Sequence, residues 1–111
     1  MIKRFVKLTL RPEATSWFLE TVFEPSKQQI RAFPGCRHME LLRSTDQPNV
    51  LFTFSLWDDA AALESYRQSA LFRATWAKSK ALFAEKAEAW SMEVLDSPYQ
   101  AKDTGQPLST L

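Results

Sequence analysis

The side chains suited to chemistry gather in one stretch of this 111-residue chain, VLFTFSLWDDAAALESYRQSALFRATW, residues 50–76. Thr53 and Trp57 stand four apart in an alternating segment, and Tyr66, Arg67, Phe72, Arg73 and Trp76 follow at helical spacings. Trp57 offers a stacking surface, Tyr66 a hydroxyl for a substrate oxygen, and Arg67 or Arg73 a guanidinium for an anion. Each also has a plainer reading. A tryptophan at a strand end packs in cores and interfaces, Phe72 and Trp76 have the spacing of a buried helix stripe, and the arginines suit an exposed helix surface. His38, the only histidine, is the natural base near neutral pH, yet on a strand it can simply face solvent or an interface. The candidates are therefore Tyr66, Arg67 and His38 for catalysis, and Thr53, Trp57, Phe72, Arg73 and Trp76 for substrate binding.

Several other chemistries fall away. The two glycines, Gly35 and Gly105, cannot build a phosphate-cradling loop. One histidine and one cysteine, with no CxxC or HxxxH spacing, predict no metal site and no haem, so no cofactor is expected. Cys36 and His38, two apart, would share a strand face like a nucleophile and its base. A free cysteine is more often a small buried hydrophobe, however. A net charge of +1 without a basic tract gives no argument for nucleic acid. The lone cysteine fits a reducing compartment, and the opening MIKRFVKLTL alternates charge and apolarity, unlike a signal peptide or a spanning helix. A cytoplasmic protein without a membrane partner is the expectation.

These residues must be positioned by elements that the pattern also defines. Ile2 to Leu10 alternates as a strand, with Ile2, Val6, Leu8 and Leu10 on its buried face. Pro12 suits a first helical turn, and Trp17, Phe18, Thr21 and Val22 form an amphipathic face. Pro25 predicts a kink or break near Glu24, with the helix resuming over 27–33 and ending at Pro34-Gly35. A second strand covers 36–45, the cluster Asp46-Gln47-Pro48-Asn49 a turn, and Val50 to Trp57 a third strand forming a hairpin with the second. Asp58 or Asp59 caps the next helix and Ser69 a further one, before a last strand over 87–95. The order β-α-β-β-α-β, with the second helical region in two pieces, is the ferredoxin-like α+β pattern: an antiparallel sheet with helices on one face. Phe5, Leu51, Trp57 and Trp90 fall out of phase with the main apolar stripes, so the second sheet face needs a cover. In a small domain a second copy is the expected one, giving a homodimer. Length predicts a single domain over 1–96, followed by a polar tail over 97–111 that is disordered or laid across a neighbour.

The phrases IRAFPGCRHMELLRS, PNVLFTFSLWDDAAALESYRQSALFRATWAKSKALF and KAEAWSMEVL resemble the antibiotic biosynthesis monooxygenase family over nearly the whole chain up to about Leu95. The resemblance implies a dimeric α+β barrel built from ferredoxin-like subunits. It also implies one of several functions, among them cofactor-free quinol oxygenation and haem degradation. The strand-three tryptophan of the cofactor-free oxygenases falls on Trp57, and their asparagine four residues earlier falls on Thr53, whose hydroxyl lacks the amide's pair of donors. The histidine iron ligand of the haem-degrading branch falls near Trp76 and its first-strand asparagine near Val6, which argues against haem degradation. In cofactor-free oxygenation the deprotonated substrate itself passes an electron to oxygen, so the protein supplies burial, orientation and stabilisation of an anion. The expectation is a monooxygenase acting on a small phenolic or quinol-type aromatic. The competing readings are a non-catalytic binding or sensing dimer, and a plain structural assembly if no pocket separates sheet from helices.

Overall fold

The computed structural model describes residues 1–98. Four strands, β1 (Ile2–Thr9), β2 (Cys36–Arg43), β3 (Val50–Trp57) and β4 (Glu88–Glu93), pair antiparallel in the order β2-β3-β1-β4. Four helical segments, α1 (Thr15–Phe18), α2 (Glu24–Arg31), α3 (Ala60–Arg67) and α4 (Ala70–Lys80), connect them. The fold is the expected ferredoxin-like α+β arrangement. Its sheet does not close on itself and leaves β2 and β4 as edges. Of the tail expected over 97–111, residues 99–111 lie outside the described residues.

Local chemistry sets the element boundaries. Asp59 Oδ1 accepts from Ala62 N (2.8 Å) at the start of α3, and Ser69 Oγ accepts from Phe72 N (3.1 Å) at the start of α4. In the β2–β3 turn, Ser44 Oγ accepts from the amides of Asp46 and Gln47 (both 3.2 Å). Gly35 closes the connection after α2 with φ +88°, and a Cβ there would stand 2.4 Å from Ala62 Cβ. Both backbone and neighbour therefore demand glycine. At Pro25 the helix does not break. The residues before it, Leu19–Phe23, widen into a π-turn, and Pro25 then enters α2 in its first turn, where its missing N–H is tolerated.

Pairing register decides which side chains face the helices. Leu8 pairs with Leu51, Val6 with Thr53, Arg4 with Ser55 and Ile2 with Trp57, so all eight lie on the helix-covered face. The core proper is Leu8, Leu10, Phe18, Val22 and Leu51, with Trp76, Phe83 and Ala87 packed against it. Leu51 and Trp57 thus belong to the core face, contrary to the expectation that they serve the second face. There, Phe52, Phe54 and Leu56 join Phe5, Trp90 and Met92 instead. Phe5 stacks on Phe54 (4.9 Å between centroids), while Trp90 and Met92 remain 45% and 49% exposed. Trp17 points away from the buried face, which is carried by Phe18 and Val22.

Candidate functional site

Between the sheet's inner face and the helices lies a cavity of about 310 Å³. Its sheet wall is made by Arg4, Val6, Leu8, Met39, Thr53 and Ser55, and Trp57 stands at the strand end. Phe18, Val22, Ser26 and Ile30 form a second wall. Tyr66, Arg67, Phe72, Thr75 and Trp76, from α3 and α4, form the third. Six of the eight candidates, Thr53, Trp57, Tyr66, Arg67, Phe72 and Trp76, are therefore brought together here.

His38 and Arg73 are not. A bulge between Cys36 and His38 places Cys36 opposite Trp57 and His38 opposite Leu56, so the two residues occupy different faces instead of the single face expected. On the outer face His38 Nε2 meets Glu40 Oε2 at 2.8 Å, and its ring lies 5.7 Å from that of Phe54. Cys36 Sγ–H donates to the His38 carbonyl (3.6 Å), and burial pushes its thiol pKa up, which leaves it a poor nucleophile. Arg73 is exposed and ties the α3–α4 junction, its Nη2 donating to Gln68 O (2.8 Å).

Trp57 is 1% exposed, and its Nε1–H donates to Ser55 Oγ (2.9 Å). Its ring stacks on Tyr66 (4.9 Å, 27°) and meets the edge of Phe33 (6.3 Å, 67°). A ligand therefore meets a Trp57–Tyr66 pair rather than an open indole. The aromatic line continues from Tyr66 through Phe72 (5.3 Å) to Trp76 (5.7 Å), giving the cavity an aromatic wall, with Phe83 (5.5 Å) behind Trp76. Burial raises the pKa of Tyr66 to about 12, with a hydrogen bond to the Thr75 side chain opposing and the charge interaction with Cys36 adding to the rise. At neutral pH the phenol is protonated, a donor and not a base.

Arg4 also lines the cavity. It falls in phase with Ile2, Val6 and Leu8, so a charge stands in the middle of a buried stripe, and that was the available signal. Ser55 and Thr75 line it as well, small hydroxyls without distinctive spacing. Among the described residues no group of three or more His, Cys, Asp or Glu is placed to hold a metal ion. No helix there is long and apolar enough to cross a membrane.

An open antiparallel sheet, helices on one face and an aromatic cavity between them define a small ferredoxin-like domain. The sequence model for antibiotic biosynthesis monooxygenases matches residues 1–78, and the chain belongs to that family. No curated protein matches the sequence. Among solved structures, Rv0793 from Mycobacterium tuberculosis is 24% identical with a TM-score of 0.78, covering 86% of this chain and 96% of its own. An antibiotic biosynthesis monooxygenase is 19% identical with a TM-score of 0.79, covering 86% and 100%. SnoaB from Streptomyces nogalater, described as a cofactor-independent oxygenase, is 21% identical with a TM-score of 0.75, covering 86% and 94%. At these identities the likeness is one of fold.

Proposed function

We propose that this protein is a cofactor-independent monooxygenase of a small phenolic or quinol-type aromatic, acting as a cytoplasmic homodimer. The observation that carries the reading is the cavity, whose aromatic wall faces the hydroxyls of Thr53, Ser55 and Tyr66 and the guanidinium of Arg67. Membership of the family and the description of SnoaB as a cofactor-independent oxygenase support it. For an anthrone-type substrate, one CH₂ and one O₂ become one C=O and one H₂O, so no external reductant is needed. The protein's part is to hold the ring against the Trp57–Tyr66 pair, exclude water and favour the substrate anion. Tyr66, protonated, donates to the oxygen on which negative charge develops, and Thr53 offers a second hydroxyl. The dimer reading rests on the outer sheet face, where Phe5, Phe54, Trp90 and Met92 present apolar surface that a second sheet would cover.

One observation favours the alternative of a binding or sensing dimer: among the described residues no carboxylate and no imidazole lines the cavity to accept the substrate proton. Oxygen consumption separates the two readings. With small hydroquinones or anthrones, the oxygenase reading expects saturable oxygen uptake. In Tyr66→Phe, removal of the hydroxyl is expected to lower kcat by about 10²-fold or more while leaving binding within about threefold, the pattern of a donor that acts on developing charge. Thr53→Asn, which adds an amide donor at the same wall, is expected to raise turnover. Binding without oxygen uptake by any of these compounds selects the sensing role.

A further inference from the structure

The charges around the cavity are one-sided. Among the described residues its wall contains two charged side chains, Arg4 and Arg67, both cationic, and every other one lining it is apolar or neutral. They come from different elements, Arg4 from the middle of the sheet face beside Ser55 and Arg67 from the last residue of α3. Arg4 is half-buried and donates through Nη1 to Ser91 Oγ (2.8 Å). Arg67 donates to Glu64 Oε2 (3.1 Å), but Glu64 is exposed, stands outside the cavity wall and also accepts from Gln68 Nε2 (2.8 Å). One carboxylate thus faces two guanidiniums and leaves an excess of positive charge at the cavity. Burial, and then the charge of Arg67, push the Arg4 guanidinium below its ordinary pKa, with Glu64 opposing. Arg67 is exposed and paired with Glu64, whereas Arg4 is half-buried, so two like charges stand at one side of an apolar space where an anion between them would relieve their repulsion.

We infer that the ligand of this cavity is a compact aromatic carboxylate, its carboxylate bridging Arg4 and Arg67 and its ring lying along the Trp57–Tyr66 wall. Guanidiniums match a carboxylate through paired N–H donors, and among the described residues no acidic side chain lines the cavity to repel the anion. A volume of about 310 Å³ suits a compact ligand of up to three fused rings. The inference rests on the oxygenase reading only in sharing its site. It gives the arginines the ring substituent and leaves Tyr66 and Thr53 to the reacting oxygen.

The test uses a redox-inert pair, 2-naphthoate and its neutral amide, titrated at pH 7 by tryptophan fluorescence and by calorimetry. The carboxylate is expected to bind about tenfold or more tighter than the amide, a preference set by charge-assisted hydrogen bonds. In Arg4→Gln that preference should fall below about threefold, while binding of the amide changes little. Arg4→Lys, which keeps the charge without the fork, should retain part of it, and serves if Arg4→Gln fails to fold. Lys78→Gln, removing an exposed charge elsewhere, should retain it all. Equal binding of the two ligands, no binding of either at millimolar concentration, or an Arg4→Gln variant that weakens both alike would overturn the inference. Oxygen uptake is measured separately with 1,4-dihydroxy-2-naphthoate and 1,4-dihydroxynaphthalene. Tight naphthoate binding without uptake from either removes the oxygenase reading and upholds this one. Equal uptake from both upholds the oxygenase reading and counts against the carboxylate.

Discussion

Replacing Trp57 by alanine is expected to lower the unfolding free energy by about 3–5 kcal/mol, the range for removing a large buried aromatic. The indole is 1% exposed, stacks on Tyr66, touches Phe33 and spends its N–H on Ser55. Truncation therefore removes packing against α3 and the α2–β2 connection and leaves the Ser55 hydroxyl without its donor. For a domain of this size such a loss is a large share of the total, since net stabilities run to about 5–15 kcal/mol. Urea denaturation followed by circular dichroism reads it directly as a shift of midpoint. Trp57→Phe, which keeps the ring and loses the N–H, should cost less than half as much. A Trp57→Ala protein as stable as the parent would show that the indole is not the pillar between β3 and α3. The same substitution also widens the cavity, so its effect on ligand binding is interpretable only alongside Trp57→Phe.

The second large effect is expected at alkaline pH. Tyr66 titrates at about 12 in the folded protein against about 10 for an exposed tyrosine. Between those values the unfolded chain releases a proton that the native protein retains. The unfolded state then binds fewer protons, and stability falls as pH rises. Below about pH 10 the contribution is fully present, and by about pH 12 roughly 2–3 kcal/mol has gone. Tyr66→Phe has no proton to lose there, so the slope of stability against pH should flatten by that amount. The subtraction isolates Tyr66 from the lysines and the other tyrosine, which titrate in both proteins. Parallel curves for parent and variant would mean that Tyr66 is freely hydrated.

The order of elements along the chain, the two helix caps and the hairpin were legible because each rests on local chemistry: period-two alternation, an Asp or Ser ahead of a helical stripe, a polar turn cluster. What failed to read was which face of β3 looks inward. Phe52, Phe54 and Leu56 form the more apolar stripe, yet they face away from the helices, while Thr53 and Ser55 face inward. The hydrophobic pattern inverts because the inner stripe borders a cavity and can carry hydroxyls, and because the outer stripe has apolar neighbours of its own in Phe5 and Trp90. The Cys36–His38 relation failed for a different reason. A bulge breaks the period-two rule, and no residue type in CRHM announces one. Six of the candidates line one cavity because they lie on the continuous run β3–α3–α4. Arg4 comes from the far end of the chain, and only the pairing of β1 with β3 brings it to them.

The π-turn at Leu19–Phe23 has a bearing on how this cavity changes shape over evolutionary time. Phe18, Val22, Ser26 and Ile30, all on the cavity wall, repeat every four residues. On a regular α-helix of about 3.6 residues per turn, each such step overshoots by about 40°, and the last residue would rotate well off the wall. The wider turn absorbs part of that drift and keeps the four nearly in line. The phase of this wall therefore depends on how many residues the turn holds as well as on which they are. Gain or loss of a single codon there would exchange several lining side chains at once, a coarser adjustment of ligand shape than any point substitution provides.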